Sequence, residues 1–133
     1  TLDLGRLGEE CKRFREIYSA ATQKSLLLLN ETFSTTSFEE GYYIAKDSVK
    51  AILKKGIRTI YNTHMHKLGY EVDEINAAES EASVRAVSLI VKSDAGKRSF
   101  KVELAPPEGM SYARDIAKKY GVTYELLTNT QDV

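Results

Sequence analysis

Four consecutive leucines at positions 26–29 are followed at once by the polar pair Asn30-Glu31. An uninterrupted apolar run of this length is typical of a fully buried strand in a parallel sheet. A second predicted strand, residues 57–61, ends in the polar triplet Asn62-Thr63-His64. Open α/β sheets build ligand sites at the carboxyl ends of their strands. The sequence therefore predicts an α/β fold in which Asn30, Glu31 and His64 lie together at the ends of two adjacent parallel strands.

Two amphipathic helices accompany these strands. The first is indicated by apolar residues at steps of three and four, namely Leu4, Leu7, Cys11, Phe14, Tyr18 and Ala21. The second follows a loop rich in Thr and Ser, with Ser37 as its N-cap, and ends at Lys54-Lys55-Gly56. Because tight turns join this helix to both strands, the segment is predicted to be a parallel βαβ unit.

The second half of the chain follows a different pattern. Residues 71–83 are polar, with five acidic side chains, and are predicted to be a surface excursion that is partly helical. Apolar residues then alternate at positions 87, 89 and 91 and again at 100, 102 and 104, on either side of Asp94-Ala95-Gly96. This alternation predicts an antiparallel hairpin. A helix capped by Ser111 and a short last helix from Thr123 complete the prediction.

Composition narrows the class of protein. A length of 133 residues predicts a single domain, residues 1–133. Nineteen basic and nineteen acidic residues cancel, so the chain lacks the overall basic signature of a nucleic-acid binder. Cys11 is the single cysteine, which excludes an internal disulfide and suits a reducing, cytoplasmic compartment. No apolar run approaches a membrane span, and a first residue of Thr1 leads us to expect an excised part of a longer protein.

The polar residues after the two strands predict phosphoryl chemistry. A carboxylate such as Glu31, just past a buried strand, can polarise a water for in-line attack on a phosphoryl group. The alternative is a loop glutamate that happens to follow a strand. Asn30 can accept a hydrogen bond from a Mg²⁺-bound water, or can simply end the strand in an Asx turn. His64 can hydrogen-bond a terminal phosphate. The phosphate-binding motif G-x-x-x-x-G-K-[ST] is absent, so the sequence predicts half of an ATPase site.

Two other patterns are compatible with binding sites. His64 and His66 stand at His-x-His spacing, which suits a metal, but no Cys or acidic partner follows at ligand spacing. Lys46, Lys50 and Lys54 form an i,i+4 row that can contact phosphate backbones. Because Asp47 lies beside that row, the pattern favours a solvated helix face.

Taken in order, these motifs resemble the MutS family of DNA mismatch-repair ATPases, in the C-terminal half of its ABC-type ATPase domain. In that family a Walker B strand ends in Asp-Glu and is followed by Gly-Thr-Ser and, later, by a glycine in the next helix. The matching positions within residues 30–41 are Glu31, Thr36, Ser37 and Gly41. Asn30 replaces the family's Asp and Thr35 its Gly, which indicates a divergent branch.

Three further segments carry the resemblance, which covers about residues 1–128. The family's Ala-Thr-His switch corresponds to Asn62-Thr63-His64. Its Ser-Tyr-Gly segment corresponds to part of residues 109–113, where Ser111 and Tyr112 are kept and Ala113 replaces Gly. Thr1-Leu2 resembles the remnant of the Ser-Thr-Phe with which the family begins the helix before Walker B.

The resemblance implies a role for each candidate residue. Glu31 would be the catalytic carboxylate and His64 the sensor of the γ-phosphate. Asn30 would handle Mg²⁺ through a bound water. The cofactor-binding loop positions would be Ser34, Thr36 and Ser37. Residues 112–127 would begin a helical dimerisation element.

It also implies an architecture and a set of partners. The chain would be the C-terminal part of an ABC-type P-loop NTPase domain, with the Walker A half outside it. ATP and Mg²⁺ would be cofactors of the full-length parent, with none bound by this chain alone. The parent would act on DNA as a homodimer or pseudo-symmetric ATPase dimer in the cytoplasm, at the nucleoid if bacterial. Two alternatives stay open, a nucleotide-dependent clamp with little turnover and a module that contributes only a dimer interface.

Overall fold

The computed structural model describes residues 5–94, 97–107 and 111–129. The helices are α1 (Gly5–Ala20), α2 (Phe38–Lys55), α3 (His66–Tyr70), α4 (Val72–Ala78), α5 (Ser111–Lys119) and α6 (Tyr124–Thr128), and the strands are β1 (Leu26–Asn30), β2 (Arg58–Asn62), β3 (Leu89–Asp94) and β4 (Lys97–Leu104). They fall into two compact units, one that ends at Val87 and one that begins at Ser88.

The first unit contains the predicted βαβ arrangement. Strands β1 and β2 are parallel neighbours, with Leu26 opposite Arg58 at one end and Asn30 opposite Asn62 at the other. Helix α2 connects them, and α1 precedes β1. The mixed α/β class, the parallel strand pair and the helix between the strands are therefore confirmed.

Helix α2 is capped at both of its ends. Ser37 caps the helix, where its side chain accepts a hydrogen bond of 3.4 Å from the backbone N–H of Glu40. Gly56 ends the helix with φ 78°, and its N–H donates to the carbonyls of Ile52 and Leu53. A left-handed residue at this position turns the chain directly into β2, and glycine adopts that conformation without a Cβ clash.

Buried side chains form two clusters in the first unit. One lies around α2, α3 and α4 and comprises Phe33, Ala45, Leu53, Met65, Leu68 and Ile75. The other lies between α2 and the sheet and comprises Ala21, Leu27, Leu29, Ile52 and Ile57. The apolar stripe of α1 adds Leu7, Cys11, Phe14 and Tyr18, which are half-buried against these clusters. The helices therefore cover one face of the β1–β2 sheet.

The prediction that residues 26–29 form a fully buried strand is wrong. Leu27 and Leu29 are each 7% exposed, whereas Leu26 and Leu28 are 60% and 70% exposed. Because successive side chains of a strand point to opposite faces, one leucine pair packs on the helices and the other points away. On β2 the side chain of Ile60 is 60% exposed as well.

The prediction of a partly helical surface excursion at residues 71–83 is confirmed for the helix, Val72–Ala78, but the surface position is wrong for the first half. Helix α4 packs against α2 through Ile75, which is 1% exposed. The Asn76 side chain donates to and accepts from the backbone of Ala86, at 2.9 and 2.7 Å, which ties the following segment to the helix. A single buried isoleucine among acidic residues gives too little periodicity for the sequence to show that this helix packs on the core.

Lys46 departs from the expected solvated row on α2. Its Nζ lies 2.9 Å from Glu71 Oε1 and 3.0 Å from Glu74 Oε2, and its side chain is only 19% exposed. Glu71 joins α3 to α4 and Glu74 lies in the first turn of α4, so only the folded chain brings these carboxylates to Lys46. Lys54, by contrast, is exposed as predicted.

The second unit contains the predicted hairpin and the two predicted helices. Strands β3 and β4 are antiparallel, with Leu89 opposite Leu104 and Val91 opposite Val102, and the register shifts between Val91 and Ser93. The backbone N–H of Leu126 donates 3.1 Å to the Thr123 side chain at the start of α6. Ala95-Gly96 of the predicted turn and the Ser111 side chain as a cap lie outside the described residues.

None of the helices in the described parts of the chain has the length and apolar character that crossing a membrane requires.

Candidate functional site

The carboxyl ends of β1 and β2 are joined by hydrogen bonds. Asn62 Nδ2 donates to Asn30 Oδ1 at 2.8 Å, and the backbone N–H of Glu31 donates to the Asn62 carbonyl at 2.7 Å. These contacts continue the parallel register for one residue beyond the strands. The two polar segments that follow the strands therefore start from a fixed common edge.

Glu31 and His64 meet just beyond this edge. Glu31 Oε1 lies 2.6 Å from His64 Nδ1, and it is otherwise buried and without a hydrogen-bond partner among the described residues. The Glu31 side chain is 30% exposed and that of His64 is 90% exposed. A ring nitrogen that carries a proton can donate to the carboxylate at this distance. The expected grouping of Asn30, Glu31 and His64 at the ends of two adjacent strands is therefore confirmed, whereas their roles stay predictions.

The backbone that presents Glu31 is strained. Glu31 and Phe33 have φ values of 55° and 70°, in the left-handed region that residues with a Cβ rarely adopt. Each such residue costs of order 1–3 kcal/mol and persists only where surrounding contacts impose it. The fold must therefore hold residues 31–37 in place. We call this segment the Glu31 loop.

Phe33 anchors the Glu31 loop in the core. Its side chain is 1% exposed and packs edge-on against Phe14 of α1, with ring centroids 5.6 Å apart. Its carbonyl is held against α2, where a Cβ on Gly41 would lie 2.2 Å from that oxygen. Only glycine permits this approach. This contact gives a physical reason for the glycine at position 41, which the sequence analysis matched to the family only by its motif.

Tyr61 of β2 fixes the carbonyl that precedes Phe33. Its hydroxyl donates to the backbone oxygen of Thr32. Burial, followed by the nearby carboxylates of Glu31 and Glu10, raises the pKa of Tyr61 well above its usual value. The phenol therefore stays protonated and keeps its donor at physiological pH.

Glu10 of α1 holds the loop from the opposite side. Its Oε2 accepts a hydrogen bond of 2.5 Å from the backbone N–H of Phe33, and its Oε1 accepts one of 2.6 Å from Thr35 Oγ1. Sequence reasoning missed both Glu10 and Tyr61, because they act through space on a loop more than twenty positions away. The one available signal was an acidic residue beside the apolar stripe of α1.

The three hydroxyl residues predicted to bind cofactor are engaged in local hydrogen bonds. Ser34 Oγ donates 2.5 Å to the Glu31 carbonyl, Thr36 Oγ1 donates 2.7 Å to Glu40 Oε2, and Ser37 caps α2. The loop therefore uses these side chains to shape itself and to begin the helix. Their nucleotide-binding role stays a prediction.

Other sequence candidates lie away from this edge or outside the described residues. His66 is exposed at the first position of α3. Within residues 5–94, 97–107 and 111–129, no three His, Cys, Asp or Glu side chains group as a metal ion would need. The correspondences at Thr1-Leu2 and Gly109, and the side chains of Ser111 and Tyr112, lie outside the described residues.

Chemically, this edge offers one buried carboxylate oxygen, one exposed imidazole and one amide oxygen. The carboxylate can orient a water or accept its proton, and the imidazole can reach a ligand in solvent. The edge therefore carries groups suited to proton transfer and to hydrogen bonding with a ligand.

Proteins of one family are similar to this chain over nearly its whole length. The family model described as MutS domain V matches residues 5–133. The chain is 31% identical over 128 residues to the DNA mismatch repair protein MutS of Methanococcoides burtonii, covering 93% of this chain and 14% of that protein. It is 26% identical over 129 residues to the endonuclease MutS2 of Thermus thermophilus, covering 97% of this chain and 16% of that protein.

A third relative is the DNA mismatch repair protein MutS 2 of Haloarcula marismortui, 31% identical over 126 residues, which cover 93% of this chain and 13% of that protein. The chain thus spans only 13–16% of the length of these relatives. Because the family model covers nearly all of the sequence, the chain belongs to the MutS family and corresponds to its domain V.

Proposed function

We propose that this chain forms the Walker B and switch half of an ATP-hydrolysing domain in a DNA-repair protein of the MutS family. The observation that carries the proposal is the meeting of Glu31 and His64, 2.6 Å apart, at the ends of adjacent parallel strands. Carboxylates at such strand ends serve water and Mg²⁺ in P-loop ATPases. Family membership and the names of the relatives, which include DNA mismatch repair, support the choice of reaction and partner.

In this proposal Glu31 is the general base and His64 the sensor. Glu31 Oε1 orients the attacking water and accepts its proton, since that oxygen has no other partner among the described residues. His64, 90% exposed, can rotate away from the carboxylate and donate to a terminal phosphate. The pair seen in the structure would then be the resting state, in which the imidazole occupies the base.

The residues of this edge fit ATP and Mg²⁺ in part. When bound, ATP supplies the phosphoryl group and Mg²⁺ neutralises the developing charge. Asn30 Oδ1 is an oxygen donor at the position for a metal-bound water, although it already accepts a hydrogen bond from Asn62. The backbone N–H groups and lysine of a phosphate loop are not in this sequence. They would come from the other half of the domain, so we expect the isolated chain to bind ATP weakly, which calorimetry with Mg²⁺ and ATP can measure.

Glu31→Gln in the full-length protein tests the proposed base. The substitution keeps size and hydrogen bonding but removes the proton acceptor, so turnover should fall by roughly 10²-fold or more while ATP binding survives. Glu39→Gln, on an exposed side chain in the first turn of α2, serves as the matched control. Unchanged steady-state turnover in the Glu31 variant would show that it is an ordinary loop residue.

The second candidate function is a nucleotide-dependent clamp with little or no turnover. The observation that favours it is the neutral Asn30, paired with Asn62 where a carboxylate would serve Mg²⁺ better. Asn30→Asp should tighten the Mg²⁺ dependence of turnover if the ATPase assignment holds. The clamp would be favoured if the wild-type protein retains DNA in an ATP-dependent way and neither it nor the Asn30→Asp variant hydrolyses ATP.

The remaining parts of the proposal concern assembly. Residues 112–127 would begin a dimerisation element, and two subunits would complete each other's nucleotide sites on DNA in the cytoplasm, at the nucleoid if the source is bacterial. Sedimentation of the full-length protein with and without ATP tests the dimer. A monomer under both conditions would leave the composite site without support.

A further inference from the structure

We propose that Glu10 is a positioning residue that couples α1 to the Glu31 loop and thereby to the base. The inference rests on the proposed function of Glu31. It assigns to α1 a role in the reaction, although the helix contributes no side chain to the strand-end edge itself.

Both oxygens of the Glu10 carboxylate are used by the loop. One accepts the backbone N–H of Phe33 at 2.5 Å and the other accepts the Thr35 hydroxyl at 2.6 Å. Hydrogen bonds to an ionised acceptor are shorter and stronger than neutral ones. Because the two donors lie two residues apart, the carboxylate fixes the direction of the loop as well as its position.

The backbone conformation explains why such a clamp is needed. The left-handed residues Glu31 and Phe33 flank Thr32, whose carbonyl is held by Tyr61 from β2. Glu10 holds the next N–H from the opposite side. A segment with two strained residues returns to ordinary φ values unless both sides are fixed. Release of the Glu10 contacts would therefore rotate the peptide units that aim the Glu31 side chain.

This arrangement makes the base responsive to α1. A shift or rotation of α1 moves Glu10, and the loop must either follow or lose two hydrogen bonds. A reacting group displaced by about 1 Å can lose on the order of 10²-fold in rate. Whatever displaces α1 would therefore alter turnover without touching ATP.

The test uses Glu10→Ala and Glu10→Gln in the full-length protein, with Glu9→Ala as the matched control on an exposed neighbour of the same helix. In Glu10→Ala, hydrogen–deuterium exchange at Phe33 should rise about tenfold, because its N–H loses its acceptor. The kcat for ATP should fall about tenfold or more with KM unchanged. Glu10→Gln should recover most of both effects, since its oxygen can accept from Phe33 and its amide can donate to Thr35. Glu9→Ala should change neither.

A double variant separates positioning from general stability. If Glu10 acts through Glu31, Glu10→Ala should reduce turnover no further in a Glu31→Gln background. A multiplied loss there, or equal falls in kcat and in binding without recovery by Gln, would overturn the coupling. Unchanged exchange at Phe33 in Glu10→Ala would overturn the clamp itself. If Glu31→Gln alone left turnover intact, the proposed function and the coupling to it would fail, while the exchange result would still decide whether Glu10 holds the loop.

Discussion

The two segments that follow β1 and β2 begin at the same edge of the sheet but differ in how firmly the fold holds their functional side chains. The Glu31 loop has two left-handed residues and a phenylalanine that is 1% exposed, and α1, β2 and α2 each contact it. The segment after β2 contains a local turn, in which Thr63 Oγ1 accepts from the Met65 N–H at 3.0 Å. Met65 is buried in the core, whereas the His64 side chain just before it is 90% exposed.

This difference assigns unequal freedom to the two members of the Glu31–His64 pair. The carboxylate is carried by a backbone that many contacts determine, whereas the imidazole is carried by a side chain that can change rotamer in solvent within nanoseconds. A fixed acceptor opposite a mobile donor is a suitable arrangement for a sensor, because only one member must move when a ligand arrives. If the Glu31 loop is fixed and the His64 side chain is free, substitutions in the two segments should differ in their effect on stability.

The largest expected effect is that of Gly41→Ala. The added Cβ would lie 2.2 Å from the Phe33 carbonyl, a backbone atom that cannot move without the loop. We expect a loss of about 3 kcal/mol in the free energy of unfolding, the upper end of the usual cost of overpacking. Urea titration measures it, with Asp47→Ala on the exposed face of the same helix as a control expected to stay within about 0.5 kcal/mol. A Gly41→Ala protein of control-like stability would mean that the loop is not pinned against α2.

Tyr61→Phe should have a smaller effect on the same loop. It removes the donor to the Thr32 carbonyl and keeps the ring, so we expect a loss of about 1 kcal/mol in unfolding free energy. The half-exposed Tyr70 supplies the matched control as Tyr70→Phe. Equal stability of the two variants would remove β2 from the set of elements that hold the loop.

The same tyrosine predicts a dependence on alkaline pH. Burial and the carboxylates of Glu31 and Glu10 raise the pKa of Tyr61 in the folded protein, whereas the unfolded chain ionises near the ordinary value of about 10. The stability that this group contributes is therefore complete below about pH 10 and is lost as pH rises toward the higher folded value. Unfolding free energy should fall more steeply above pH 10 in the wild type than in Tyr61→Phe, and parallel curves would contradict the raised pKa.

The smallest expected effect on stability is that of His64→Ala. An exposed side chain that stabilises little should change unfolding free energy by less than about 0.5 kcal/mol. If the sensor role is right, the same variant should nevertheless lose turnover in the full-length protein. A stability loss comparable to that of Gly41→Ala would show that the two segments are more alike than the structure indicates.

Much of the first unit could be predicted because its signals are local. Each signal lies within the element that it predicts: the apolar spacing in α1, the Ser37 and Gly56 caps of α2, and the short runs that form β1 and β2. Because parallel strands end at one edge, the placement of Glu31 beside His64 followed from the order of elements alone.

What could not be predicted depends on contacts between distant segments. Ile75 becomes core only because α4 returns to α2, and Lys46 is drawn from solvent by two carboxylates of that same turn. From the sequence alone, Glu10 is predicted to be a solvated helix residue. Only the folded chain brings the Phe33 N–H within hydrogen-bond distance of it. The exposure of Leu26 and Leu28 could not be predicted either, because an apolar run does not show whether both faces of a sheet are covered.

The outward row of Leu26, Leu28 and Ile60 affects how readily the newly synthesised chain aggregates. As the chain leaves the ribosome, it presents three large aliphatic side chains beside each other on a sheet that, in the described residues, has two strands and open edges. Nascent chains with such features are prone to aggregate and are typical clients of chaperones. We therefore expect that polar substitutions at these three positions raise the amount of soluble protein made in the cell without touching the buried core.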